Sequence, residues 1–169
     1  MPITSVNIYS RRSAMQLSMA MLGATALAHP LLGLARSDPN QITVWKTPDC
    51  GCCHEWVAHL RKNGFEVMTN DVKDTAPIRQ KLGLPAKFGS CHTASLDNYV
   101  IEGHVPAQEL RRLLREKPNA RGLAVPGMPA GSPGMEMGTV RDPYDVLIVL
   151  ADGSSRIYQS YPSKSPTKI

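Results

Sequence analysis

Three cysteines within four residues, Cys50-Gly51-Cys52-Cys53, constrain this chain more than any other feature. They stand between two segments of opposite character. Residues 42 to 47, Ile-Thr-Val-Trp-Lys-Thr, are β-branched and aromatic and stop at Pro48-Asp49, which predicts a strand breaking into a turn. From His54 to Asn63 the apolar residues Trp56, Val57 and Leu60 recur at helical spacing, and Gly64 stands where a helix C-cap belongs. The predicted unit is therefore strand, cysteine turn, helix. Thiols at the start of a helix meet unpaired backbone N–H groups and the positive end of the helix dipole, which lowers a cysteine pKa below its ordinary value of about 8.5.

Downstream, a second strand is predicted at 65 to 72, where Phe65, Val67 and Thr69 alternate and Met68 reads as core; a short helix around Pro77 to Leu82 follows. Two short strands, 93 to 96 and 99 to 102, flank the turn pair Asp97-Asn98 and form a hairpin. Pro106 opens a helix through Lys117, with Leu110, Leu113 and Leu114 inward and Arg111, Arg112 and Arg115 facing water. Residues 118 to 143 are dense in Gly, Pro and Met and read as a long loop, neither helix nor strand, in need of a reason. A last hairpin joins Val146 to Leu150 with Arg156 to Gln159 through Asp152-Gly153. The order β-(cysteine turn)-α-β-α-β-β-α is that of a thioredoxin-like α/β domain, here with an appended Gly/Pro/Met-rich loop and an extra β-hairpin. There is no internal repeat.

With 169 residues, a formal charge of +5 and 42% hydrophobic residues, the chain suits one compact domain plus a loop-rich extension. Its start lacks acids, carries Arg11-Arg12 and runs apolar from Ala14 to Leu27, which is a secretory signal layout. Cleavage after Ala28 and cleavage after Ala35 both follow small-x-small patterns. Ser10-Arg11-Arg12 is similar to a twin-arginine signal, although Ser13-Ala14 replaces the apolar residue usual after the pair; ordinary and twin-arginine export both stay open. The apolar run falls short of the ~20 residues a spanning helix needs and is closed by His29-Pro30, so no membrane association is expected after cleavage. The expected organisation is a signal peptide over 1–35, a thioredoxin-like domain over 36–160 and a flexible tail over 161–169. Without residues 1 to 35, 17 basic side chains face 14 acidic ones, a net +3 too weak to suggest a nucleic-acid partner.

All four cysteines, Cys50, Cys52, Cys53 and Cys91, fall in the part that would meet an oxidising compartment, where thiols form disulfides unless a metal or reductant holds them. Cys50 and Cys53 have the spacing of thiol-disulfide exchange proteins, but Cys52 adds a third sulfur that can trap mixed disulfides. Three convergent thiolates instead suit a soft cation such as Cu(I). In the thioredoxin order the residue leading into the third strand lies against the cysteine turn. Here that stretch reads Gly89-Ser90-Cys91-His92-Thr93, with no proline before the strand, so Cys91 reads as a fourth ligand. Met128 and Met135, each after a glycine, offer soft thioethers on a loop able to fold over the turn, whereas Met137 reads as packing. His54, His92 and His104 can each ligate as neutral imidazole; His92 and His104 approach the cysteine end of the predicted sheet, and His59, midway along a helix, reads as structural. Two alternatives stay open: a pair of stapling disulfides, for example Cys50 with Cys53 and Cys52 with Cys91, and a structural zinc site.

Thr47-Pro48-Asp49-Cys50-Gly51-Cys52-Cys53, Ser90-Cys91-His92-Thr93-Ala94, Glu102-Gly103-His104-Val105-Pro106-Ala107 and Gly122-Leu123-Ala124-Val125-Pro126-Gly127-Met128-Pro129 together resemble the bacterial CopG-like copper-resistance family of periplasmic metal-binding proteins. The resemblance runs over roughly residues 42 to 160. It implies a thioredoxin-like fold, a copper cluster bridged by cysteine sulfurs, and a role in copper redox handling, with the family's cysteines falling on Cys50, Cys52, Cys53 and Cys91. The expectation is a periplasmic copper-binding protein for copper resistance and homeostasis, taking copper ions and dealing with other periplasmic copper-handling proteins. The alternatives are a thiol-disulfide oxidoreductase or metallochaperone reductase acting on protein partners, and an inert disulfide-stapled module.

Overall fold

The structure, a computed structural model, describes residues 40–136 and 138–162. The expected signal segment with both its cleavage sites, Met137, and the tail from residue 163 onward lie outside the described residues.

The expected β-α-β-α-β-β-α order is realised in β1 (Gln41–Lys46), α1 (Gly51–Lys62), β2 (Glu66–Asp71), α2 (Ala76–Lys81), β3 (His92–Leu96), β4 (Tyr99–Glu102) and α3 (Ala107–Glu116), followed by β5 (Gly122–Ala124), β6 (Tyr144–Val149) and β7 (Ser155–Tyr161). The result is a mixed α/β fold around one seven-stranded sheet in the order β2-β1-β3-β4-β5-β6-β7. β1 pairs with β2 in parallel, as the α1 crossover requires, and β4 with β5 in parallel; the other neighbours are antiparallel.

Alternation along the strands sorts the apolar side chains between the two sheet faces. Ile42, Val44, Ala94, Leu96, Ile101, Leu123, Val146 and Ile148 face α1 and α3, whose Trp56, Leu60, Leu110 and Leu113 complete the main core. Val100, Ala124 and Val149, one residue out of phase, meet Leu84 and Phe88 on the opposite face, below α2. Each fully buried Leu or Ile of this kind contributes roughly 1.5–3 kcal/mol. The indole of the fully buried Trp56 donates to Val105 O at 2.9 Å, tying α1 to the β4–α3 connection.

Four particulars differ from the sequence-based expectation. α1 begins at Gly51, so Cys52 and Cys53 belong to its first turn rather than to a turn ahead of it. Residues 122–124, expected to be loop, form the short buried strand β5: three residues carry little propensity, and pairing on both sides supplies the order. Met68 is not core but 54% exposed, because β2 is an edge strand on which Val67 alone packs inward from its middle. Finally, Arg112 is not simply solvated: its guanidinium lies 4.1 Å over the Tyr158 ring and donates to Tyr158 O at 3.2 Å, which fastens the terminal hairpin to α3.

Candidate metal centre

The centre forms where the N-terminus of α1 meets the residue before β3. Cys50 caps α1 with extended backbone, after a turn closed by its own N–H on Thr47 O at 3.2 Å. Helical spacing then brings Cys53 back beside it, with Cα atoms 5.3 Å apart, and the two are joined by a disulfide. Cys52 and Cys91 remain free thiols, both half-buried. Cys91 Sγ lies 3.5 Å from Cys53 Sγ and 3.8 Å from Cys52 Sγ, and Cys52 Sγ lies 3.6 Å from Cys50 Sγ. All four sulfurs fall within 4.8 Å of one another.

Two buried imidazoles close on Cys91 from the other side. His104 Nδ1 lies 2.8 Å from the Pro133 carbonyl, which can only accept, so Nδ1 carries the proton and Nε2 turns its lone pair to Cys91 Sγ at 3.2 Å. A backbone carbonyl holding the far nitrogen is the usual way a ligating histidine is oriented. His92 places Nδ1 3.3 Å from Cys91 Sγ, packs against Trp56 at a 35° tilt with ring centroids 4.3 Å apart, and meets the edge of His104 at 4.9 Å. Its buried Nε2 has no hydrogen-bond partner among the described residues.

Burial holds both rings below histidine's ordinary 6.5, His92 down to about 3 with help from the neighbouring His104. Both are therefore neutral at pH 7, the form that ligates. Burial, then the charge on Cys52, pushes the Cys91 thiol up to about 12, so a cation binding there must displace its proton. Two free thiols, two neutral imidazoles and a disulfide that reduction turns into two more thiols make a donor set for a soft cation. Both the four cysteines and the trio Cys91, His92 and His104 are spaced to hold a metal ion, and Cys91 belongs to both groups.

Two residues of the Gly/Pro/Met-rich segment, Pro133 and Gly134, reach this centre. Pro133 supplies the carbonyl for His104, and Gly134 (φ +84°) passes so close to α1 that a Cβ there would sit 2.6 Å from Trp56 N and 2.7 Å from Cys52 O. Nearer β5, Gly127 N–H donates to Gly89 O at 3.2 Å.

Comparison with known proteins places the chain. Two solved structures titled "Copper resistance protein copG", Form 2 and Form 1, are each 43% identical to it, cover 72% and 74% of it and 98% and 99% of their own chains, and superpose with TM-scores of 0.69 and 0.70. The chain belongs to the CopG-like copper-resistance family. A family described as "Protein of unknown function, DUF411" matches residues 88–135, which hold Cys91, His92, His104, Pro133 and Gly134. No curated protein matches.

Within this CopG-like centre the residues anticipated from sequence are gathered unequally. Cys50, Cys52, Cys53 and Cys91 converge, and His92 and His104 join them through Cys91. One of the two bridges of the stapled alternative, Cys50–Cys53, is present, while Cys52 and Cys91 are unbridged. Bridged sulfurs are not thiolates, so Cys50 and Cys53 offer themselves to a soft metal only once reduced. Met135 is half-buried beside Gly134, and Met128 is 55% exposed. His54 is exposed. His59 is structural as expected: its Nε2 accepts the Ala107 N–H at 3.2 Å. Sequence reading missed Pro133, whose contribution is a backbone carbonyl and leaves no trace in residue type, and Trp56, read only as core.

Proposed function

We propose that this chain is a periplasmic copper-binding protein of copper resistance, whose thioredoxin-like domain over residues 36–160 holds copper in a cysteine-bridged, multinuclear site. The observation that carries the reading is the setting of Cys91 Sγ, which has two sulfurs within 3.8 Å and two imidazole nitrogens within 3.3 Å. Cys91 belongs both to the sulfur group with Cys50, Cys52 and Cys53 and to the imidazole group with His92 and His104, so it would be the ligand the two groups share. Thiolate and imidazole together prefer copper to the hard cations, and Met128 and Met135, in the segment that carries Pro133, would add soft thioethers to the set.

The chain's own residues divide the work. Cys91 yields its proton, His92 and His104 bind as neutral rings, and the Pro133 carbonyl keeps Nε2 of His104 aimed inward. Reduction of the Cys50–Cys53 bridge adds two more thiols. Bound copper supplies exchange of single electrons between its two oxidation states. The thioredoxin-like reading is supported by the order β2-β1-β3-β4 with α1 and α3 on one face. The periplasmic reading is supported by the secretory layout of residues 1–35 and by a disulfide suited to an oxidising compartment. Among the described residues no helix is long and apolar enough to cross a membrane.

The reading is tested by loading the purified, reduced chain with copper and counting bound ions by elemental analysis. Copper should be retained, and lost when Cys50, Cys52 and Cys53 are changed to serine; no bound copper, or no loss in the variant, overturns it. A second reading, thiol-disulfide exchange with a protein dithiol, is favoured by the Cys50–Cys53 bridge itself. It requires that the metal-free protein turn over a disulfide substrate such as insulin, and inactivity there excludes it.

A further inference from the structure

Behind the centre, on the α2 face of the sheet, lies a buried charge pair. Glu102, at the end of β4, is 0% exposed and Arg79 of α2 is 8% exposed. Glu102 Oε1 accepts from Arg79 Nε at 2.8 Å and from Ser90 N–H at 2.7 Å, while Oε2 accepts from the Thr93 hydroxyl at 2.7 Å. Arg79 Nη2 in turn donates to Ser90 O at 3.1 Å and Thr75 Oγ1 at 3.3 Å. The peptide units on both sides of Ser90 are thus gripped, one by the carboxylate and one by the guanidinium, and the second of them carries Cys91.

The same pair reaches the imidazole arm. Glu102 precedes Gly103-His104, and Gly103 (φ +70°) is pressed against Ser90 so tightly that a Cβ there would lie 2.8 Å from Ser90 Cβ and 2.4 Å from Val125 O. Gly103 N–H also donates to His92 O at 3.1 Å. Desolvating two charges is costly, and apolar replacements of buried ion pairs are often as stable, so stability alone does not explain such a pair. Its bonds converge instead on the backbone that delivers Cys91, His92 and His104.

We propose that Arg79 and Glu102 are positioning residues of the metal centre, which lock the Ser90–Cys91 peptide and the root of the His104 arm so that sulfur and imidazole stay within ligating reach of α1. The proposal rests on the metal-binding reading for its purpose, but its mechanical content, a clamped Cys91, is measurable without metal. Two changes to the full-length chain separate positioning from mere folding. Glu102→Gln keeps the shape and an oxygen for Ser90 N–H, and is the conservative variant. The double change Arg79→Met with Glu102→Gln removes both charges together, so no unpaired charge is buried, and releases the Ser90 carbonyl.

Cu(I) affinity, by competition with a chromogenic chelator on the reduced protein, should fall about tenfold to a hundredfold in the double variant, the range for partners that orient ligands. Glu102→Gln should retain most of it. The rate of Cys91 alkylation in the metal-free, bridged protein, followed by peptide mass spectrometry, should rise severalfold in the double variant while the near-ultraviolet circular dichroism stays that of the parent. If the parent binds no copper, the metal reading fails and the alkylation rates decide the clamp by themselves. Unchanged alkylation, or parental Cu(I) affinity in the double variant, overturns the proposal; so does unfolding of both variants, which would make the pair a folding requirement only.

Discussion

Each donor around Cys91 Sγ is held by a bond or contact of its own: Cys52 and Cys53 by the first turn of α1, His104 by Pro133, His92 by packing against Trp56. The oxidation state of the sulfurs is the part of this arrangement most directly countable. Thiol titration of the denatured, metal-free chain should give two thiols per molecule without reductant and four with it, and Cys91→Ser should give one and three. No thiols without reductant would mean that Cys52 and Cys91, whose sulfurs lie 3.8 Å apart, have closed a second bridge. The four sulfurs were legible in the sequence because Cys50, Cys52 and Cys53 sit at a locally signalled helix start and Cys91 follows from the order of elements. Arg79 and Glu102 were not, since their pairing depends on how α2 seats against the end of β4, and nothing local to either residue carries that.

Among the elements, α3 is held at its start by a part of the chain distant in sequence. Its first turn has no side-chain cap of its own, and His59 of α1 supplies the missing acceptor for the Ala107 N–H at 3.2 Å. Burial, with a smaller push from Lys62 and against a pull upward from Glu136, keeps His59 below histidine's ordinary 6.5. A group whose pKa is lowered by folding lends stability that is complete above its unfolded value and is lost as pH falls through the folded one. The parent should therefore lose stability as pH drops below 6.5, and a protonated His59 can no longer accept the bond. His59→Leu should cost about 1 kcal/mol at neutral pH, the worth of one hydrogen bond, and should show a flatter decline under acid in urea titrations at several pH values; a decline as steep as the parent's would remove His59 as its source. The helices themselves were readable from apolar spacing, whereas β5 was not: a strand of three residues in a Gly- and Pro-rich stretch exists only because β4 and β6 pair with it.

For the molecule as a whole, the centre joins segments that only folding brings together. Cys52 and Cys91 are 39 residues apart, and His104 and Pro133 are 29 apart. The one covalent link, between Cys50 and Cys53, spans a sequence separation of only 3, and so short a closed loop restrains the unfolded chain weakly. The seven-stranded sheet and its two apolar layers must therefore place the donors without much help from that bridge. A cation held across these segments binds the folded chain far better than the unfolded one, and mass action then stabilises the fold by about 2.7 kcal/mol at a hundredfold excess over the dissociation constant. For a domain of this size that corresponds to a rise in thermal midpoint on the order of 10 °C. Thermal melts of the reduced chain with increasing Cu(I) should show a midpoint that climbs with concentration, and Cys91→Ser, which removes the atom common to both ligand groups, should abolish most of the climb. A midpoint indifferent to Cu(I) would mean that the sulfurs and imidazoles bind no better together than they do in the unfolded chain, and the centre would then have to be read as a thiol-disulfide device alone.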